Sequence, residues 1–347
     1  MYEVVVIGAG QAGLAMGYYL LKQQKDFLIL DKGTEIGEVW KNRYDSLKLF
    51  TPRLYNALPG SPFVGESHGL PTKDEIATYL QRYAETFHLP IKLKSEVIQV
   101  TKEGDIFSIT TNVGVLQSKA IVVATGPFQK KLIPEVSQNL SKEVLQLHSS
   151  EYRNPIQLQE GNVLVVGGGN SGAQIAVELS RKLKTYLAIS KPLRYLPLSL
   201  GGKSIFWWFD KVGILNASNQ SMFGKLIQKN GDPIFGKELK KAIHDGSITL
   251  KGRVNSVEKD SVGFSEGTSV KVQNVIWATG FKIDYRWLGI KDCFTQNRHV
   301  QHDKGISPVR GLYFLGLPWQ SRRGSALLQG VGEDAKFLMN HINRERV

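Results

Sequence analysis

Residues 3–31 read EVVVIGAGQAGLAMGYYLLKQQKDFLILD, and the fold turns on this stretch. Val4, Val5, Val6 and Ile7 form a β-branched apolar run, which suits a buried strand. Gly8-x-Gly10-x-x-Gly13 follows without a gap. In such a turn the first glycine allows a tight bend, the second lets backbone approach a diphosphate, and the third lets a new helix pack on its strand. That helix begins with free N–H groups and the positive end of its dipole facing the anion. Leu14, Tyr18 and Leu21 recur at helical spacing, and a second apolar strand, Phe27 to Leu30, ends in Asp31, eighteen residues after Gly13. A carboxylate there can accept both hydroxyl hydrogens of an adenosine ribose. Strand, glycine turn, helix, strand and acid occur in order. The stretch therefore reads as a dinucleotide site with Gly8, Gly10, Gln11, Ala12, Gly13, Asp31 and Lys32 at the nucleotide.

The plan repeats from Gly161, with Gly167 following Gly8 by 159 residues. NVLVVGGGNSGAQIAVELS holds a strand at Val163–Val166, then Gly167-x-Gly169-x-x-Gly172 with Asn170 and Ser171 between, then a helix through Leu179. A strand from Tyr186 to Ile189 comes next. Two such units imply two dinucleotides in one chain. The position occupied by Asp31 in the first unit is Ser190 in the second, with Lys191 beside it and Arg194 close behind. A carboxylate favours a free 2′-hydroxyl, whereas a hydroxyl beside cations favours a 2′-phosphate. The first unit suits FAD and the second suits NADPH over NADH.

Other elements fall around these two. Residues 34–71 are rich in glycine, proline and aromatics and read as one long irregular loop, a length that usually signals function. Thr72 with Glu75 forms a capping pattern that opens a helix to about His88. Residues 91–123 read as short strands ending in Ala124-Thr125-Gly126, and Val275-Ile276-Trp277 leads into the matching Ala278-Thr279-Gly280. Both turns mark strand ends beside a bound dinucleotide. Ile205-Phe206-Trp207-Trp208-Phe209 reads as a buried helix or strand, or else as a hydrophobic wall for substrate or an interface patch. Residues 311–316 form a last strand. A helix from about Gly330 to Asn340 then presents its N-terminus to the negative charge of the reduced flavin.

Composition removes other classes. The chain has 347 residues, enough for about two domains, with 41% hydrophobic and 22% charged content, as in ordinary globular proteins. The net charge of +13 is scattered, with no basic run, so nucleic-acid binding is not expected; anionic cofactors would be attracted. Cys293 is the one cysteine, which excludes a dithiol centre and fits a reducing cytoplasm. The N-terminus starts in a core strand, so no signal peptide is expected, and no apolar run approaches the ~20 residues of a membrane helix. The histidines lack metal-ligand spacing.

With both units and both ATG turns placed, the chain resembles the flavin-containing monooxygenases, most of all the stand-alone soluble bacterial members. The resemblance spans nearly the whole chain. It rests on the two fingerprints, WKNRYDSLKLFTP, the Trp277–Phe281 turn and GLYFLGLPWQSRRGSALLQGVGED. His148-Ser149-Ser150-Glu151-Tyr152 is similar to the end of the family's linker motif, although Lys142 and Val144 stand where that motif has Phe and Gly. Phe50 stands where many eukaryotic members have an active-site Asn. The resemblance implies FAD contacts at Gly37, Val39, Trp40, Arg43, Leu47, Thr51 and Val97. It also places Gly316, Gln329 and Gly330 near the ring, with Trp319 and Gln320 as candidates for lining the flavin face. His148 takes a hinge or cofactor-positioning role and no catalytic step.

The implied fold is α/β, with two doubly wound dinucleotide-binding domains. Residues 1–157 and 280–347 make the FAD domain, and residues 158–279 make an inserted NADPH domain. Crossings fall near 152–161 and 277–281. The implied reaction is NADPH-driven flavin reduction, formation of a C4a-hydroperoxide with dioxygen, and oxygen transfer to a small sulfide, amine or ketone. An NADPH oxidase or a flavin or quinone-type reductase is the alternative, and a homodimer stays open.

Overall fold

The structure is a computed structural model in which residues 1–345 are described. The first sheet runs, from edge to edge, Ile91–Lys92, Phe27–Leu30, Tyr2–Ile7, Gly114–Val123, Ile106–Thr111 and Val97–Glu103. The first four strands are parallel, and the last two form an antiparallel meander on the first half of Gly114–Val123. The second half of that long strand pairs in parallel with Leu312–Phe314. Its neighbour Tyr2–Ile7 is buried on both faces, as a continuous β-branched run requires. Val4 and Val6 pack under the Gln11–Lys22, Lys73–Thr86 and Leu328–Arg344 helices, while Val5 and Ile7 pack under the meander and residues 288–294.

The second sheet is wholly parallel, in the order Ile248–Lys251, Thr185–Ala188, Val163–Val166, Asn274–Trp277 and Leu145–His148. Val163 and Val165 face the Asn170–Leu179 and Glu238–His244 helices, and Leu164 faces a three-stranded antiparallel meander over residues 254–271. Two doubly wound units are thus observed, as expected.

The boundary between them moves. Leu145–His148 is an edge strand of the second sheet, and Val136, Leu140 and Val144 pack in that domain's core. The second domain therefore begins well before residue 158. The chain enters it at 126–132, not at 152–161. There Lys130–Lys131 pairs antiparallel with Phe281–Lys282 on the way out, and Leu132 N–H donates to the Gly280 carbonyl at 3.0 Å. Entry and exit form one two-stranded ribbon.

The capping box at Thr72 is present, with Thr72 and Glu75 exchanging hydrogen bonds, and the helix ends at Thr86 because Phe87 leaves the helical path. The 34–71 loop is less irregular than its composition suggests. It contains a turn of helix at Glu38–Lys41 and a 3-10 turn at Arg53–Tyr55. It is also nailed to the Lys73–Thr86 helix by the Tyr79 hydroxyl, which accepts from Leu58 N–H and donates to the Ser61 carbonyl, both at 2.7 Å. The final helix starts two residues earlier and runs four residues further than expected, from Leu328 to Arg344. Ile205–Lys211 is a short helix: Ile205 and Phe206 are buried, but Trp208 is 38% exposed.

Candidate active site

The two glycine turns have the same geometry. Gly8 is left-handed at φ +110°, and a Cβ there would lie 2.6 Å from the Ala124 carbonyl oxygen. Gly167 is left-handed at φ +120°, and a Cβ there would run into the Ala278 carbonyl. A Cβ at Gly13 would strike the Gly8 carbonyl, and one at Gly172 the Gly167 carbonyl. Each third glycine is therefore fixed by helix-on-turn packing. Gly10 and Gly169 are different: a Cβ at either meets nothing within 4 Å. The backbone is bare where a diphosphate would lie, and each of these glycines caps the N-terminus of its helix, Gln11–Lys22 or Asn170–Leu179. Gly126 and Gly280, left-handed and with open space where a Cβ would stand, follow the two strand ends against which Gly8 and Gly167 pack. A diphosphate fits both cradles.

Asp31 buttresses the first turn. Its carboxylate accepts from Ala9 N–H at 2.6 Å and from Gly33 N–H at 2.7 Å. Each oxygen keeps a lone-pair site for a ribose hydroxyl. Val97 stays close, since Ser95 N–H donates to the Asp31 carbonyl at 2.8 Å, while Lys32 is exposed. In the second unit Ser190, Lys191 and Arg194 are all exposed at the strand end. The Asn170 side chain is used within the chain, donating to the Pro233 carbonyl at 3.0 Å and accepting from Phe235 N–H at 3.1 Å, so it positions 233–235. Ser171 is exposed beside it.

The long loop brings its residues between the domains. Gly37 is left-handed and sits 2.9 Å, by its would-be Cβ, from the Ala77 backbone; Trp40 packs on the first core, and Val39 is 65% exposed. Leu47 packs instead on the core of the second domain, and Thr51 is buried. The Arg43 guanidinium lies 5.2 Å from the Phe128 ring and 5.6 Å from the Phe281 ring, gripping the chain just past each ATG turn. The threonines of those turns are engaged: Thr125 Oγ1 accepts from the Gln129 amide at 2.9 Å, and Thr279 Oγ1 donates to the Leu132 carbonyl. Ala124 is buried in the strand end.

Near the last helix, a Cβ on left-handed Gly316 would lie 2.9 Å from Ala12 Cβ, and Gln11 donates to the Ala326 carbonyl at 3.2 Å. The first cradle and the start of the last helix are thus held together. Gln329 is half-buried, and Gly330 closes on the Gly324 carbonyl, where a Cβ would come within 2.6 Å. Gln320 does not line an open face. Its side chain is fully buried, accepting from Leu317 N–H at 3.2 Å and donating to the Lys304 carbonyl at 3.1 Å, so it shapes the loop. Trp319 is half-buried at φ +57°, a left-handed conformation that a bulky residue rarely adopts.

Sequence reasoning missed what holds Trp319. Asn219, from the second domain, donates to the Trp319 carbonyl at 2.9 Å and the Gln320 carbonyl at 3.1 Å, and its N–H reaches the Ser321 carbonyl at 2.9 Å. Arg322 and Arg323 return the contact through Asn216 and Asp232. His148 is fully buried. Its Nδ1 accepts from Ser150 N–H at 3.2 Å, so Nε2–H donates to the Gly280 carbonyl at 2.9 Å, and burial pulls its pKa below the usual histidine value. It therefore sits neutral against the exit crossing.

The profile of the pyridine nucleotide-disulphide oxidoreductase family matches residues 5–191, more than half the chain. The chain belongs to this family. It is 54% identical to the uncharacterized oxidoreductase CzcO of Bacillus subtilis over 99% of this chain and 100% of that one. It is 28% identical to the probable indole-3-pyruvate monooxygenase YUCCA3 of Arabidopsis thaliana, over 93% of this chain and 84% of that one. Among solved structures it matches the flavin-containing monooxygenase from Stenotrophomonas maltophilia with a TM-score of 0.84 and 25% identity, covering 100% of this chain and 99% of that one. The resemblance to flavin-containing monooxygenases stands on these matches, and the chain is a flavin-dependent oxidoreductase. Among the described residues no helix is long and apolar enough to cross a membrane.

Proposed function

We propose that the chain is an NADPH-driven monooxygenase. It consumes dioxygen and NADPH with one proton, places one oxygen atom on a small sulfide, amine or ketone, and releases the other as water with NADP⁺. The observation that carries this reading is the pair of matched glycine cradles in one chain, with Arg43 set against both Phe128 and Phe281 just past the two ATG turns. Bound FAD would supply the chemistry, accepting hydride from NADPH and activating dioxygen.

The chain supplies binding and order. Backbone N–H groups at Gly10–Gly13 and Gly169–Gly172 hold the two diphosphates at helix N-termini. Asp31 orients the adenosine ribose of FAD, and Lys191 reads the 2′-phosphate of NADPH. Trp40, Leu47 and Thr51 from the long loop, with Gly316, Gln329 and Gly330 near the last helix, would hold the ring. Trp319, held by Asn219, would line the flavin face. Disulphide reduction through an internal dithiol, one chemistry the family name includes, needs a cysteine pair. Here Cys293 is the one cysteine; it is buried, donates to the Ile290 carbonyl at 3.0 Å, and has its thiol pushed up to about 12. The relative named as an indole-3-pyruvate monooxygenase supports oxygenation.

The test is labelled dioxygen with a panel of sulfides, amines and ketones, scored by product mass and by hydrogen peroxide per NADPH consumed. Incorporation of label into product supports the proposal. Peroxide equal to NADPH consumed across the whole panel would leave an NADPH oxidase instead.

A further inference from the structure

A groove of about 220 Å³ runs between the two domains, on the side of the Asn170–Leu179 helix away from its glycine turn. Leu49, Phe50 and Leu70 come from the first domain, and Ala173, Val177 and Phe235 from the second. Phe50 and Phe235 stack on each other with ring centres 4.4 Å apart and 18° between their planes, so an aromatic pair from the two domains forms part of the wall. Lys48 and Arg181 line the groove from opposite domains, both exposed, and neither head group has a hydrogen-bond or ion-pair partner among the described residues. Two carboxylates, Glu178 and Glu238, also line it. Glu178 accepts from the hydroxyl of fully buried Tyr152 at 2.8 Å, and the Glu238 carboxylate folds back onto Gly236, where a Cβ would run into it. The groove therefore combines apolar walls with two cations that have no partner among the described residues, while Glu178, the carboxylate nearest Arg181 in sequence, is engaged by the Tyr152 hydroxyl.

We infer that this groove is a binding site for a small amphipathic carboxylate. The acid group pairs with Lys48 and Arg181, and the hydrocarbon lies against Phe50 and Phe235. Burying the chain supplies the apolar contribution, while the charge-assisted hydrogen bonds set preference for an acid over a neutral analogue. A ligand seated there touches both domains at once, so its binding also stabilises their docking. This inference does not depend on the oxygenation chemistry.

The experiment is calorimetric titration of the flavin-loaded enzyme with octanoate, with octanamide as the neutral isostere and acetate as the anion without a chain. Octanoate is expected to bind at least about tenfold more tightly than either control, a ratio worth about 1.4 kcal/mol. The Lys48→Met/Arg181→Met double variant should lose that preference while keeping flavin and NADPH oxidation. Val177→Trp, which fills the groove, should abolish octanoate binding. Equal binding of octanoate and octanamide, a preference that survives the double variant, binding that survives Val177→Trp, or no octanoate binding at all would each overturn the inference.

Discussion

Gly10 and Gly13 lie three residues apart, yet the same substitution should act on them in opposite ways. Gly10 has an extended backbone that any residue can adopt and open space around it, so Gly10→Ala should fold as the wild type does. The new methyl would stand where the diphosphate lies, and FAD retention should fall roughly tenfold or more, read from the flavin-to-protein absorbance ratio. Gly13→Ala drives a methyl into the Gly8 carbonyl and should cost about 2–3 kcal/mol of stability, measured by urea unfolding. Both roles were legible in the sequence because they follow from the absence of a side chain. At the second cradle, Lys191→Ala should raise the KM for NADPH about tenfold and leave that for NADH unchanged, since only a 2′-phosphate meets the ammonium. An equal rise for both nucleotides would remove Lys191 from that role. His148 gives a pH signature. Its folded pKa lies below the unfolded value of 6.5, so its neutral form contributes stability in full above 6.5 and loses it as pH falls from there through the folded value. The midpoint of thermal unfolding should drop more steeply between pH 7 and 5 in wild type than in His148→Gln. Gln320 was not legible: a buried amide finds its partners at Lys304 and Leu317 only once the loop has closed, and no local pattern encodes that.

Among the elements, those with their own start signal were the readable ones. Thr72→Ala removes the side-chain half of a capping box, in which the Thr72 hydroxyl accepts from Glu75 N–H, and should cost about 1 kcal/mol, seen as a lower urea midpoint with an unchanged slope. The glycine-turn helices were equally plain. The edge strand Leu145–His148 was hidden because four residues, Leu-Gln-Leu-His, carry too little pattern to stand apart from a loop. It is a strand because Asn274–Trp277 offers it a row of parallel partners across the sheet. The final helix ran past its expected ends for a related reason. Leu328, Val331, Ala335, Leu338 and Ile342 keep one face buried beyond Asn340, and packing on the first core extends what local signals would stop.

At the scale of the molecule, the repeat of strand, turn and helix made two domains legible. The contacts that close the two halves were not legible, because Arg43, Asn219 and His148 each reach partners remote in sequence. The two cradles should titrate separately. NADP⁺ at a hundredfold excess over its Kd should stabilise wild type by about 2.7 kcal/mol. Gly169→Ala should lose that shift in melting temperature while remaining yellow. Loss of both cofactors together would mean that the cradles are not independent.

The ribbon made by Lys130–Lys131 and Phe281–Lys282 carries a consequence for ancestry and engineering. Because the inserted module leaves where it entered, its two seams are neighbours on adjacent strands. A module of different coenzyme preference could replace it by splicing at that single spot, leaving the host sheet's own pairing untouched. Diversification of electron donor and of oxidising centre can then proceed separately, each by exchange of a complete unit.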